Sequence, residues 1–227
     1  MGVISNMSKL VVFCDFDGTI TNQDNIMAIM KKFAPPEWTP IKDDILAQRI
    51  SIRDGVAKLF SLLPTKSKDE IISFVRKQAI IRDGFKEFVT FTKNHDIPLY
   101  IVSGGIDFFV HNLLEPFGPF AGIYCNESNF SKEKIHLEFP HSCDELCMSQ
   151  GCGCCKPSII RTLLDQDAVS VVIGDSITDL EAAKLGDIII ARDFLIEKCE
   201  ELSIPYEPFE NFYDVIDIID AKLGVKL

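Results

Sequence analysis

Short apolar runs ending in Gly, Ser or Asp alternate along this chain with longer segments of helical period. The runs are Leu10–Cys14, Leu99–Val102, Val169–Ile173 and Ile188–Ala191. Most are rich in Val and Ile and apolar at consecutive positions, the pattern of parallel strands buried on both faces. Between them Gly84–Asn94, Ile106–Glu115, Pro157–Asp165 and Thr178–Lys184 carry helical spacing. Pro157 suits a first helical turn, where a missing N–H costs nothing. The alternation predicts an α/β fold with a doubly wound, mostly parallel sheet.

Residues from Asn22 to about Arg82 interrupt this rhythm. Ile26, Ile29, Met30 and Phe33, then Val56, Leu59, Phe60 and Leu63, then Ile71, Ile72, Phe74 and Val75 recur at helical spacing with no strand run between them. Ser67-Lys-Asp-Glu70 has the form of a capping box and marks a helix start. The expected organisation is a Rossmann-like core of residues 1–21 and 83–227, with a helical cap, 22–82, inserted after the first strand. A cysteine-rich loop, 141–156, lies within the core.

Composition adds limits. Of the 227 residues 47% are hydrophobic and 25% charged, enough for a globular core with a shaped cleft. The formal charge of −11 argues against nucleic acid as a partner, because no segment collects the cations to neutralise a phosphate backbone. An anion site here must depend on local cations. Leu10–Cys14 is far short of the ~20 residues of a membrane span, and Met1–Leu10 offers only Lys9 as a cation, so neither export signal nor membrane partner is expected. Asn6 stands where a myristoylation motif on Gly2 needs Ser or Thr. Eight cysteines without a leader predict reduced thiols in the cytoplasm.

Three strand ends and one helix start carry the candidate chemistry. Asp15-Phe16-Asp17-Gly18-Thr19 follows the first run, and ligands of open α/β sheets bind beyond the carboxyl ends of strands. Two carboxylates so close are costly unless a cation lies between them or one is protonated. The plainer reading is an acidic turn ending a strand. Gly174-Asp175-Ser176-Ile177-Thr178-Asp179 closes another run, so Asp175 and Asp179 would join the first pair in an oxygen-rich pocket suited to Mg²⁺. Asp179 also suits a helix start. Ser103-Gly104-Gly105 offers a hydroxyl and turning amides as a phosphate cradle, or simply a turn. Lys156 precedes the Pro157 helix; most lysines are solvated, but here a cation is needed to balance phosphate and nucleophile.

These motifs, in this order, resemble the haloacid dehalogenase superfamily of phosphatases across essentially the whole chain, and the inserted helices resemble the cap of its phosphoserine phosphatase branch. The resemblance implies that Asp15 is a nucleophile forming an aspartyl-phosphate and that Asp17 is general acid, then base. It implies Mg²⁺ held by Asp15, the backbone carbonyl of Asp17 and Asp175, with Asp179 ligating or orienting. Ser103 and nearby amides, Gly104 included, would hold phosphoryl oxygens, and Lys156 would balance charge. Asp24 matches an acidic cap residue of similar enzymes; otherwise it is a solvated charge near a helix start.

Phosphoserine is disfavoured as substrate: within Leu46–Phe60, Leu59 stands where that branch has its carboxylate-gripping arginine, and Arg53 is out of register. His141-Ser-Cys143-Asp-Glu-Leu-Cys147-Met-Ser-Gln-Gly-Cys152-Gly-Cys154-Cys155-Lys156-Pro157 resembles a subfamily of methionine-salvage phosphatases. Its cysteines admit a structural Zn²⁺, packed reduced thiols or a redox-sensitive disulfide, the intervals being no clean pair of Cys-x-x-Cys knuckles. The expected partner is a small phosphate ester, handled by a monomer or homodimer. Other readings are a phosphoserine or other small-metabolite phosphatase, a phosphotransferase, and a non-catalytic module that senses phosphometabolites or binds a partner.

Overall fold

The structure is a computed structural model that describes residues 9–224. The expectations for Met1–Leu10 therefore fall largely outside the described residues. A seven-stranded sheet runs in the order β4-β3-β2-β1-β5-β6-β7. Its strands are β1 (Lys9–Cys14), β2 (Leu99–Ile106), β3 (Gly122–Asn129), β4 (His136–Glu138), β5 (Ala168–Gly174), β6 (Ile188–Ala191) and β7 (Glu207–Pro208). All pairings are parallel except β3 with β4 at one edge. The central β1 is flanked by β2 and β5, with Cys14 opposite both Ile101 and Ile173. The strand order reverses there, and a crevice opens beyond the carboxyl ends of these strands.

Helices α1 (Asn25–Phe33), α2 (Trp38–Leu46), α3 (Ile52–Ser61) and α4 (Lys68–Gln78) occupy the interval after β1. The chain leaves and re-enters through an antiparallel bridge, Thr21 with Ile81. Ile29, Met30, Leu59, Phe60, Leu63 and Ile71 are fully buried and share one apolar cluster with Val12, Ile101, Phe109 and Val171 of the core. The remaining helices are α5 (Phe85–Asn94), α6 (Asp107–Leu114), α7 (Lys156–Leu163), α8 (Leu180–Ala183), α9 (Asp193–Leu202) and α10 (Phe212–Gly224). No helix among the described residues is long and apolar enough to cross a membrane.

Three local expectations are corrected. Ser103-Gly104-Gly105 is not a turn after a strand but part of β2, whose register against β3 shifts between Val102 and Ile106. Ser67 makes no side-chain cap, because it ends a 3-10 turn that runs directly into α4. Thr178–Lys184 is not one helix: a 3-10 turn, Ile177–Asp179, precedes the four residues of α8.

Candidate active site

Asp15 is the first residue beyond β1, and its N–H still donates to the Ile173 carbonyl of β5 at 2.9 Å. Parallel pairing thus fixes the loop from Asp15 to Thr19 against the one from Gly174 to Asp179. Gly18 turns with φ +83°, and a β-carbon there would collide with Asp175 Oδ2. Only glycine meets both demands. Thr19 Oγ1 donates to Asp175 Oδ1 at 2.8 Å. The loop is clamped from beneath by buried Arg82, whose Nε donates to the Thr19 carbonyl and whose Nη2 donates to that of Gly18, each at 2.7 Å.

Lys156 enters from the first turn of α7, only 5% exposed. Its Nζ lies 2.7 Å from Asp15 Oδ1 and 2.5 Å from Asp179 Oδ1. The other Asp179 oxygen accepts from the N–H groups of Asp175 and Ser176 and from the Ser176 hydroxyl, at 3.2, 3.0 and 3.0 Å. Asp179 is thereby occupied in orienting the loop and the lysine. Oxygens of Asp15, Asp175 and Asp179 all lie within 4.8 Å of one another.

The electrostatics call for a cation. Burial, then Asp179, push the Asp15 carboxyl well above the ordinary range, against the pull of Lys156. Burial and Asp179 likewise push Asp175 up to about 6. Burial works to lower the Lys156 ammonium, yet Asp15 and Asp179 outweigh it and hold the side chain charged. Clustered carboxylate oxygens that resist ionisation by themselves are the donor set of a hard divalent ion such as Mg²⁺.

Asp17 stands apart from this cluster. Its Oδ1 accepts from the backbone N–H and the side-chain N–H of Asn25, at 3.0 and 2.6 Å. Its Oδ2 faces Gly105, where a β-carbon would come within 3.0 Å. Burial, then the charge of Asp24, raise Asp17 to about 7 despite the Asn25 donors. It is poised to hold or release a proton near neutrality.

Ser103 is fully buried, and its Oγ accepts from the Gly105 N–H at 2.9 Å. Asn126 donates to the Gly104 carbonyl at 2.9 Å, while its own carbonyl oxygen is buried without a partner. Asp24 is exposed and caps α1 by accepting the Met27 N–H at 2.9 Å, and its charge reaches Asp17. Asn25, Arg82 and Asn126 went unread in the sequence. Asn25 alone left a trace there, as a polar residue beside Asp24 at the cap entrance.

Residues 12–184 match the model of the haloacid dehalogenase-like hydrolases. This chain belongs to that family. The hydrolase is 60% identical over 211 residues, 93% of its length and 96% of the relative's, to a 2-hydroxy-3-keto-5-methylthiopentenyl-1-phosphate phosphatase of Geobacillus kaustophilus (strain HTA426). It is 56% identical to one of Bacillus thuringiensis (strain Al Hakam), over 96% of this chain and all of that one. Its fold is that of a substrate-bound phosphoserine phosphatase complex, with a TM-score of 0.66 at 20% identity, over 92% of the hydrolase and 98% of the other chain.

Proposed function

We propose that the hydrolase is a Mg²⁺-dependent phosphomonoesterase that works through an aspartyl-phosphate on Asp15. The observation that carries this is Lys156 set between Asp15 and Asp179, beside an Asp17 raised to about 7. Mg²⁺ held by Asp15, the Asp17 carbonyl and Asp175 would offset the negative charge of the phosphoryl oxygens. An Asp15 oxygen attacks phosphorus as the ester P–O bond breaks. Asp17 gives its proton to the departing alkoxide, then takes one from the water that attacks the phosphorus of the acyl phosphate. Inorganic phosphate leaves and Asp15 is regenerated. Lys156 favours the anionic form of Asp15 alongside the metal, and the Ser103 hydroxyl with the Gly104 amide receives phosphoryl oxygens.

The substrate we infer is 2-hydroxy-3-keto-5-methylthiopentenyl 1-phosphate, which places the enzyme in methionine salvage. Identity of 51–60% to the phosphatases named for that compound, over nearly the whole of both chains, supports it. Cap residues 22–82 also lack the means to grip phosphoserine at the positions considered. Leu59 is buried in the apolar cluster, and the Arg53 guanidinium is stacked 5.2 Å over Phe139. Eight unpaired thiols suit the cytoplasm. The soft thiols of the cysteine loop suit Zn²⁺ rather than Mg²⁺.

A panel of metabolite phosphates assayed with Mg²⁺ tests this. The expected result is a kcat/KM for the thioether substrate at least tenfold above that for phosphoserine, with both lost to EDTA. Equal rates, or turnover indifferent to the chelator, would overturn it.

A further inference from the structure

Cys143, Cys147, Cys152 and Cys155 bring their Sγ atoms within 4.8 Å of one another, and Cys147 Sγ lies 3.6 Å from Cys152 Sγ. Four sulfurs bound to zinc at about 2.3 Å stand about 3.8 Å apart along each tetrahedral edge. The set therefore has the dimensions of a tetrathiolate site. Cys154 is left out, its Sγ directed to the Tyr124 carbonyl at 3.7 Å. His141 is left out too, its ring packed on Tyr124 at 5.1 Å. The three intervals between them are irregular in sequence, and only the folded loop shows which of the five clustered cysteines converge.

Segment 139–155 contains neither helix nor strand, an unusual length of irregular chain to hold in one conformation. Its protein ties include Arg161 gripping Asp144 at 2.5 and 2.7 Å, Gln150 donating to the carbonyls of Asp144 and Cys147, and the Cys155 N–H donating to the His141 carbonyl.

We propose that Cys143, Cys147, Cys152 and Cys155 bind one zinc ion in a closed, structural site. The ion fixes two things at once. Cys155 is the N-cap residue of α7, next to Lys156, so the site sets where the lysine begins. The same loop meets the start of α3: the Arg53 N–H donates to the Gly151 carbonyl at 3.0 Å, and a β-carbon on Gly151 would lie 2.6 Å from Ser51 Cβ. The zinc site stands independently of the phosphatase reading; its effect on Lys156 rests on it.

The test is metal analysis of the full chain purified from zinc-containing medium and dialysed against a weak chelator. We expect one zinc per chain, retained in Cys154→Ser and lost in Cys147→Ser and Cys152→Ser. Reloading the mercurial-stripped protein with Co²⁺ should give the intense visible absorption of a tetrahedral tetrathiolate. Removal of zinc from the Mg²⁺-loaded enzyme should lower kcat at least tenfold with a smaller change in KM, as expected of a displaced Lys156. Zinc-free protein of unchanged Tm, a Cys147–Cys152 disulfide in protein prepared without oxidant, or zinc retained in Cys152→Ser would overturn the site. Metal content is read whether or not the protein turns over a phosphate ester, so its failure and that of the phosphatase reading are distinguishable.

Discussion

Asn25 donates both its backbone and its side-chain N–H to a single oxygen of Asp17, at 3.0 and 2.6 Å. Both bonds favour the carboxylate, and they work against the burial and the Asp24 charge that raise Asp17 to about 7. Asp17 must be protonated to release a poor leaving group, so kcat/KM on an alkyl phosphate should fall as pH rises through its pKa. Asn25→Ala removes one of the bonds that hold the pKa down. The descending limb should then move about one pH unit higher, the worth of one charge-assisted hydrogen bond. A pH–rate profile reads this directly, and an unmoved limb would detach Asn25 from the acid.

Lys156→Met is the corresponding change on the other side of the phosphoryl site. It leaves Asp15 and Asp179 buried without their shared ammonium. Breaking a buried ion pair in this way costs about 3–5 kcal/mol when one partner remains. Urea denaturation of the metal-free protein should show that loss near neutral pH. The loss should shrink as pH falls, because Asp15, whose carboxyl burial already pushes upward, takes a proton and removes one stranded charge. Phosphate release should fall at least a hundredfold.

The sheet and the Asp15, Asp175 and Lys156 positions were legible in the sequence because they obey local rules. Val- and Ile-rich runs become parallel strands, and acids placed directly after them must project at the carboxyl edge. The β3–β4 edge was not, since Gly122–Asn129 ends in Asn-Glu-Ser-Asn and lacks the apolar run of a central strand. Ser103-Gly104-Gly105 reads as a turn in isolation, whereas in the fold it continues β2 between the paired residues Val102 and Ile106. Arg82 acts on carbonyls 63 and 64 residues away. No spacing rule reveals a contact that tertiary folding alone creates.

Gly18 connects the two acidic loops sterically. Gly18→Ala would force a left-handed backbone on a residue with a side chain and drive its β-carbon into Asp175 Oδ2. Asp175 must move, so Mg²⁺ affinity should fall at least tenfold. Strain at such a site costs about 1–3 kcal/mol, and isothermal titration with Mg²⁺ beside a thermal melt separates the two effects.

Metal removal should make stability depend on pH in a defined direction. Asp175 is raised from 3.8 to about 6 in the folded chain. A raised carboxyl favours the folded state while protonated, and that contribution is lost as pH climbs from the unfolded value through the folded one. Metal-free protein should therefore lose stability between about pH 4 and pH 6 on account of this group. Mg²⁺ competes with those protons, so its stabilising effect should be larger near pH 7.5 than near pH 5. Differential scanning calorimetry at the two pH values, with and without Mg²⁺, gives the comparison.

The central claim is that Asp15 itself carries the phosphoryl group. Acid quenching during turnover, followed by borohydride reduction and peptide mass spectrometry, should convert Asp15 to homoserine while leaving Asp17, Asp175 and Asp179 intact. Homoserine at another of these positions, or none in a fully active sample quenched before the substrate is consumed, would contradict it.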